Sequence, residues 1–326
     1  MCELHWALVP FPFLIGSDGE TPPFSFPGHS KMSSIFVRVA VGVTAGTLFC
    51  LKAVPHVFPH EYVKRVMELK VGSSEVEVPA RCKEQLSRTA PKLGINDNQE
   101  KIAFFVCKSL FPMSAGATWL PNGAVIGVPL TFFFKQEEDI ARFQQVRDKN
   151  GQVPFYLRGK IGSKFKDTLL LSDDSVAFLI GHELSHIKRI DLVSQVFLAP
   201  TWLYITFEVA SRTRRLVPKA PVIVDGIVKV GFCLVSYFCY WRAQRYLNHY
   251  QEFKADEMSA RIDPDIAVGG VDWMLKTIRF NAFMRYIHER GTSRVQSSGQ
   301  GYTHPKLLER LRKLELMLDE TMKGAI

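Results

Sequence analysis

The chain has 326 residues, 47% of them hydrophobic, enough for a sizeable core in one large or two modest domains. Lys and Arg number 41 against 32 Asp and Glu, a formal charge of +9, but the cations are dispersed and no base-reading motif accompanies them, which excludes a nucleic-acid binder; several flank apolar runs, as suits anionic lipid head groups. The six cysteines, at 2, 50, 82, 107, 233 and 239, form no CxxC pair and read as free thiols rather than a disulfide framework.

Residues 1 to 34 hold Pro10, Pro12, Pro22, Pro23 and Pro27 among scattered aromatics and lack a basic n-region, so they read as a disordered or targeting extension, with Met32 an alternative start to Met1. From Ile35 to Leu51 the chain is apolar apart from Arg38, and Gly42 and Gly46 suit close helix packing. A membrane anchor is expected over 35–55, with a buried core helix as the plainer alternative. Between Thr21 and His60 there is no acidic residue, while Lys31, Arg38 and Lys52 are present, a composition compatible with mitochondrial import.

Helices are expected near His60 to Lys70 and Ala80 to Leu93. Ala124 to Val128 is β-prone and bounded by Pro121-Asn122-Gly123 and Pro129, which predicts a short strand with a protected edge where an extended peptide can pair.

The centre of the sequence is His182-Glu183-Leu184-Ser185-His186. Residues four apart share a helix face, so His182 and His186 can hold one Zn²⁺ through ring nitrogens at roughly 2.0 to 2.1 Å. Glu183 then stands ready to take a proton from a water that attacks a peptide carbonyl, and to hand it to the leaving amine. Chance can produce three residues at this spacing, and context is what counts against it. Ser172, Asp173 and Asp174 offer N-cap oxygens and first-turn negative charge, and Val176, Leu179 and Ile180 follow at helical spacing.

Two further apolar runs, Leu192 to Phe207 and Val222 to Trp241, are separated by Arg212, Arg214, Arg215 and Lys219 and predict a helical hairpin in or against a membrane. Asp225 and Lys229, four apart inside it, are placed to pair. Just after the hairpin, Glu252 is the favoured third metal ligand, His249 its rival, and Asp256, one turn on, is placed to orient a ligand histidine. Tyr302-Thr303-His304-Pro305 then precedes a helix with Leu307, Leu311, Leu314 and Leu318 at 4-3-4 spacing, most simply a core-packing stripe.

LSDDSVAFLIGHELSH, a hydrophobic hairpin, EFKAD and THPKLLERLRKL, in that order, resemble the gluzincin metallopeptidases of the HtpX and CAAX prenyl endopeptidase type. The resemblance implies that His182, His186 and Glu252 bind zinc, one ion per chain, that Glu183 is the base and that Asp256 supports a ligand. It also implies that His304 covers the metal and that Arg310 helps stabilise the oxyanion. Ser114-Ala115-Gly116 stands where that family has Asn-Ala on its substrate strand, so that pair is missing here.

A second likeness covers more of the chain. LFCLKAVPHVFPHEYV, FPMSAGATWLPNGAVIGVP, LAPTW and AVGGVDW are similar to the transmembrane protein 177 family of the mitochondrial inner membrane, implicated in maturation of cytochrome c oxidase subunit II. In the vertebrate members of that family the zinc residues are lost, whereas this chain keeps them. The expected protein is α+β, mainly α: a zincin-type metallopeptidase core over 59–326 with a small β-sheet, an N-terminal membrane helix, and a hydrophobic hairpin inserted over 190–241. Two functions are in view. One is a zinc metalloendopeptidase acting on membrane or membrane-associated proteins in mitochondrial quality control or maturation. The other is a non-catalytic inner-membrane factor for cytochrome c oxidase subunit II assembly. Membrane lipids, a peptide or membrane-protein substrate, and that subunit with its assembly factors are the partners these readings imply.

Overall fold

The computed structural model describes residues 29–71, 74–96, 99–143, 159–216, 221–288 and 305–324. The expected extension up to residue 28, Cys2, Lys219 and His304 lie outside them. Helix α1 (His29–Val57) starts before the apolar run read from the sequence and continues through Pro55. Its most apolar stretch buries nothing, with Ile35, Phe36, Val39 and Val43 all exposed, so it is not a core helix.

Helix α2 (Pro59–Tyr62) and a π-helical turn at Val63–Met67 replace the single helix expected up to Lys70. A small antiparallel pair follows, β1 (Lys70–Val71) with β2 (Ser74–Glu75), and then α3 (Ala80–Thr89). Strands β3 (Ile102–Val106), β4 (Met113–Gly116) and β5 (Ala124–Val128) form a three-stranded sheet in the order β3-β5-β4, with β5 parallel to β3 and antiparallel to β4. Ala124 to Val128 is thus a strand, as its composition predicts, but a central one with all five residues buried. A short run that is apolar on both faces belongs inside a sheet, and the flanking prolines sit outside the strand, where no ladder hydrogen bond is lost. The two edges are β3 and β4. Gly116 and Gly123, at φ +86° and +65°, make the tight return between β4 and β5 in a region that only glycine enters cheaply.

After α4 (Glu137–Phe143) and α5 (Gly159–Asp167) comes the helix on which the fold is centred, α6 (Asp173–Lys188). Twelve of its 16 residues are buried, so it is enclosed on almost every side, by β4, by α3, by α8 (Val222–Ala260) and by α9 (Pro264–His288). The expected cap is present: Ser172 Oγ accepts the Ser175 N–H at 3.0 Å, with Asp173 and Asp174 in the first turn. Close approach depends on glycine at two places. A Cβ on Gly181 would lie 2.6 Å from Ser259 Oγ of α8, and one on Gly270 of α9 would lie 2.6 Å from the Phe178 ring. The leucine stripe of α10 (Leu307–Gly324) is core as expected, with Leu307, Leu311 and Leu314 buried and Leu318 packed against them.

The hairpin forms from α7 (Asp191–Leu216) and α8. Trp202 Nε1 donates to the Ser236 carbonyl at 3.1 Å and its hydroxyl at 3.0 Å, and Asp225 pairs with Lys229 at 2.7 Å. The second helix does not end with its apolar run at Trp241. No proline or glycine follows until after Ala260, so α8 continues for 39 residues, about 58 Å at 1.5 Å per residue. That is about twice the ~30 Å of a hydrocarbon core, so its second half rises out of any membrane into the globular part. Helix α1 packs along α7, with Phe49 edge-on to Phe197 at 5.2 Å. Among the described residues, α1, α7 and α8 are the three helices long and apolar enough to cross a membrane. Cys50, Cys82, Cys107, Cys233 and Cys239 are all free thiols, and burial pushes that of Cys82 up to about 12. The architecture is α+β and mainly α, with a small sheet and apolar helices attached to the helical core.

Candidate metal centre

Helix α6 presents His182, Glu183 and His186 to a cavity of about 380 Å³, and α8 brings Glu252 across from the opposite side. The two imidazole Nε2 atoms stand 3.2 Å apart, and the carboxylate oxygens of Glu252 lie 3.7 Å from His182 Nε2 and 3.8 Å from His186 Nε2. Ligands bound to Zn²⁺ at roughly 2.0 to 2.1 Å in a tetrahedral shell are separated by about 3.3 to 3.4 Å, so small side-chain adjustments convert this triangle into one face of such a shell. His249, one turn earlier on α8, lies outside this cluster and outside the cavity lining.

Each imidazole is backed through its other nitrogen. His182 Nδ1 lies 2.9 Å from Asp256 Oδ1, a hydrogen bond that places the proton on Nδ1 and leaves Nε2 free to bind metal. His186 Nδ1 lies 3.5 Å from Asp191 Oδ2, a looser electrostatic contact. Burial alone would push the His186 pKa down, but Asp191, Glu252 and Glu183 together raise it.

Arg310 of α10 ties the carboxylates together. Its Nε and Nη2 each donate to Asp256 at 2.7 Å, its Nη1 lies 3.0 Å from Glu252, and the guanidinium rests over Trp273 at 5.7 Å. All three nitrogens are thereby directed at these two acids. Burial would lower the Arg310 pKa, and Asp256 and Glu252 more than reverse that, holding it above its ordinary value. Asp191 is likewise paired, with Arg189 at 3.0 Å. Glu183, Asp191, Glu252 and Asp256 against Arg189 and Arg310 leave two negative charges around the cavity, the charge a divalent cation neutralises. Donor types, spacing and charge all fit zinc.

Of the site residues expected from sequence, His182, Glu183, His186, Glu252, Asp256 and Arg310 are brought together, while His304 lies outside the described residues. Sequence reading passed over three others. Asp191, at the start of α7, reads as an ordinary first-turn acid. Gln251 is buried and donates to Asp191 O at 3.3 Å and Ser194 Oγ at 2.9 Å, fixing the turn that carries Asp191. His56 lies at the end of an apolar run that gives no sign of touching a site, yet it lines the cavity beside Ser114 and Gly116 of β4.

Residues 160–318 match the sequence model of Peptidase family M48. Transmembrane protein 177 of Xenopus laevis is 20% identical over 266 residues, covering 79% of this chain and 84% of the relative. The Danio rerio protein of that name is 20% identical over 288 residues, 82% of this chain and 90% of the relative, and the Homo sapiens one 22% identical over 294 residues, 87% and 91%. No solved structure matches the chain. This is therefore a membrane protein that resembles Peptidase family M48 across the segment carrying the His-His-Glu cluster, and transmembrane protein 177 across most of its length.

Proposed function

We propose that this chain is a membrane-anchored zinc metalloendopeptidase that holds one Zn²⁺ through His182, His186 and Glu252 and cuts peptide bonds in membrane or membrane-associated proteins. The observation that carries the reading is the convergence of those three donors with Glu183 on a cavity bordered by the edge strand β4. Zinc, when bound there, supplies a Lewis acid and lowers the pKa of water. The chain's own groups do the rest. Glu183 accepts the proton of the attacking water and returns it to the departing amine. Asp256 holds the His182 ring in its ligating tautomer, and Arg310 favours the ionised form of Asp256 and ties both Asp256 and Glu252 in place. The outer edge of β4 offers main-chain groups to an extended substrate.

The membrane assignment bears on the substrate. The cavity is lined by His56 at the end of α1, Leu192 and Gln195 at the start of α7, and Asn248 and Gln251 in the upper part of α8. The three apolar helices therefore emerge on the side of the cavity, which puts the site close above the bilayer and suits a segment leaving the membrane. Placement in the mitochondrial inner membrane, in protein quality control or maturation, rests on the acid-free basic stretch around α1 and on the likeness to transmembrane protein 177. We assign 59–326 to one peptidase domain, interrupted by the hairpin of 190–241. That likeness, which extends well outside 160–318, favours the second reading, a non-catalytic factor acting with cytochrome c oxidase subunit II and its assembly factors.

Glu183→Gln separates the two. The full-length variant is expected to retain about one zinc per chain while peptide hydrolysis falls by about 10²- to 10⁴-fold. Cleavage at the wild-type rate would remove Glu183 as base, and support of respiratory-complex assembly equal to wild type would favour the non-catalytic reading. Absence of zinc from the purified wild-type protein would sink the metallopeptidase reading.

A further inference from the structure

Helix α1 does more than anchor the chain. Its last turn is fastened to the sheet at two points: Gly116 N–H donates to His56 Nδ1 at 3.2 Å, and Asn122 Nδ2 donates to the Val57 carbonyl at 2.6 Å. The first contact falls on the edge that a substrate would use. In the β4–β5 register Gly116 is opposite Ala124 and Ser114 opposite Ile126, and the Ala117 N–H goes to Gly123 O. Alternation along an antiparallel strand then turns the main-chain groups of Ala115 and Ala117 toward β5, and those of Ser114 and Gly116 outward. Of the two outward N–H groups, that of Gly116 is taken by the imidazole.

From this we infer that His56 is a specificity-determining residue that closes one end of the peptide groove. An extended peptide pairs with β4 at Ser114 and cannot continue past Gly116, because the ring occupies the N–H it needs and the body of α1 stands in its path. The inference rests on reading the cavity as a peptide site. It adds a length limit on one side of the scissile bond, set by a helix of the membrane anchor. The double fastening, together with the packing of α1 on α7, makes the closure a fixed feature of the groove. The substrate class that fits is a peptide with a free or sharply turned end on that side, such as a segment bending at the membrane surface.

Binding of fluorescein-labelled apolar peptides, lengthened one residue at a time from either end, tests this in the full-length Glu183→Gln protein in nanodiscs, where nothing is cleaved. With His56 present, affinity is expected to stop rising beyond a fixed length on one side. In the added His56→Ala variant it is expected to rise about tenfold further, as two more main-chain hydrogen bonds form. The same rise in Asn122→Ala, which loosens the helix end but leaves the Gly116 bond, would transfer the limit to docking of α1 and overturn the role of His56. A length dependence identical with and without His56 would overturn it while leaving the peptidase reading intact. Failure of every peptide to bind either protein would remove both. Amide exchange in the wild-type protein adds a check that needs no variant: Gly116 N–H exchanging as fast as that of Ser114 would show that His56 does not cap it.

Discussion

Asp256→Asn is the substitution that separates orientation of a ligand from ligation itself. Asn keeps an oxygen that can accept from His182 Nδ1, now at 2.9 Å, but it replaces the other carboxylate oxygen with an N–H₂ facing Arg310 Nε, now 2.7 Å from its acceptor. A donor then confronts a donor, and the buried guanidinium keeps only Glu252, at 3.0 Å, as a full countercharge. Breaking one side of a buried ion pair costs about 3 to 5 kcal/mol, because the remaining charge stays out of water. Loss of the carboxylate behind a ligating histidine lowers metal affinity by about 10- to 100-fold. Zinc affinity is measured by competition with a chromophoric chelator, and stability by denaturation of the zinc-free protein in the same detergent. Asp191→Asn serves as the internal comparison, since its contact with His186 is 3.5 Å and weaker, and a smaller loss of affinity is expected there. A folded Asp256→Asn protein with zinc affinity within about twofold of wild type would refute the assignment of His182 as a ligand held through Asp256.

Two further outcomes follow from the packing and the helix directions. Gly181→Ala places a methyl 2.6 Å from Ser259 Oγ between α6 and α8, so a loss of about 1 to 3 kcal/mol in stability is expected, with weaker zinc binding because His182 is the next residue; unchanged unfolding and zinc affinity would show that the two helices can separate freely. If α1, α7 and α8 all cross the bilayer, the C-terminal end of α7 lies on the face opposite the metal cluster. A cysteine placed at Arg215 in an otherwise cysteine-free chain should then react with a membrane-impermeant maleimide from the opposite side to one placed at Lys92, and labelling of both from one side would rule out this topology.

Ser172, His182, Glu183 and His186 are legible from sequence because everything they need is local: a cap, a periodic apolar run and a four-residue spacing that any α-helix turns into a shared face. Glu252 and Asp256 are legible as candidates for the same reason, one turn apart on a helix. The choice of Glu252 over its rival His249 is what the family resemblance implies, and the folded chain puts Glu252 in the donor cluster. The central position of Ala124–Val128 is not legible in the sequence, because composition and flanking prolines specify a strand but not its neighbours. Pairing partners are chosen by β3 and β4, which come from elsewhere in the chain.

What the sequence determined by itself was the capped motif helix, the leucine stripe of the last helix, the three apolar runs and the motif that names the chemistry, all consequences of residue type and short-range spacing. Only the tertiary structure decided that Arg310 joins Asp256 to Glu252, that Asp191 stands behind His186, and that His56 reaches the edge of β4. These contacts join residues between 5 and about 60 positions apart, and nothing in their local sequence marks them. They arise because a nearly fully buried α6 must be enclosed on all sides, and enclosing it brings the ends of distant helices to one cavity.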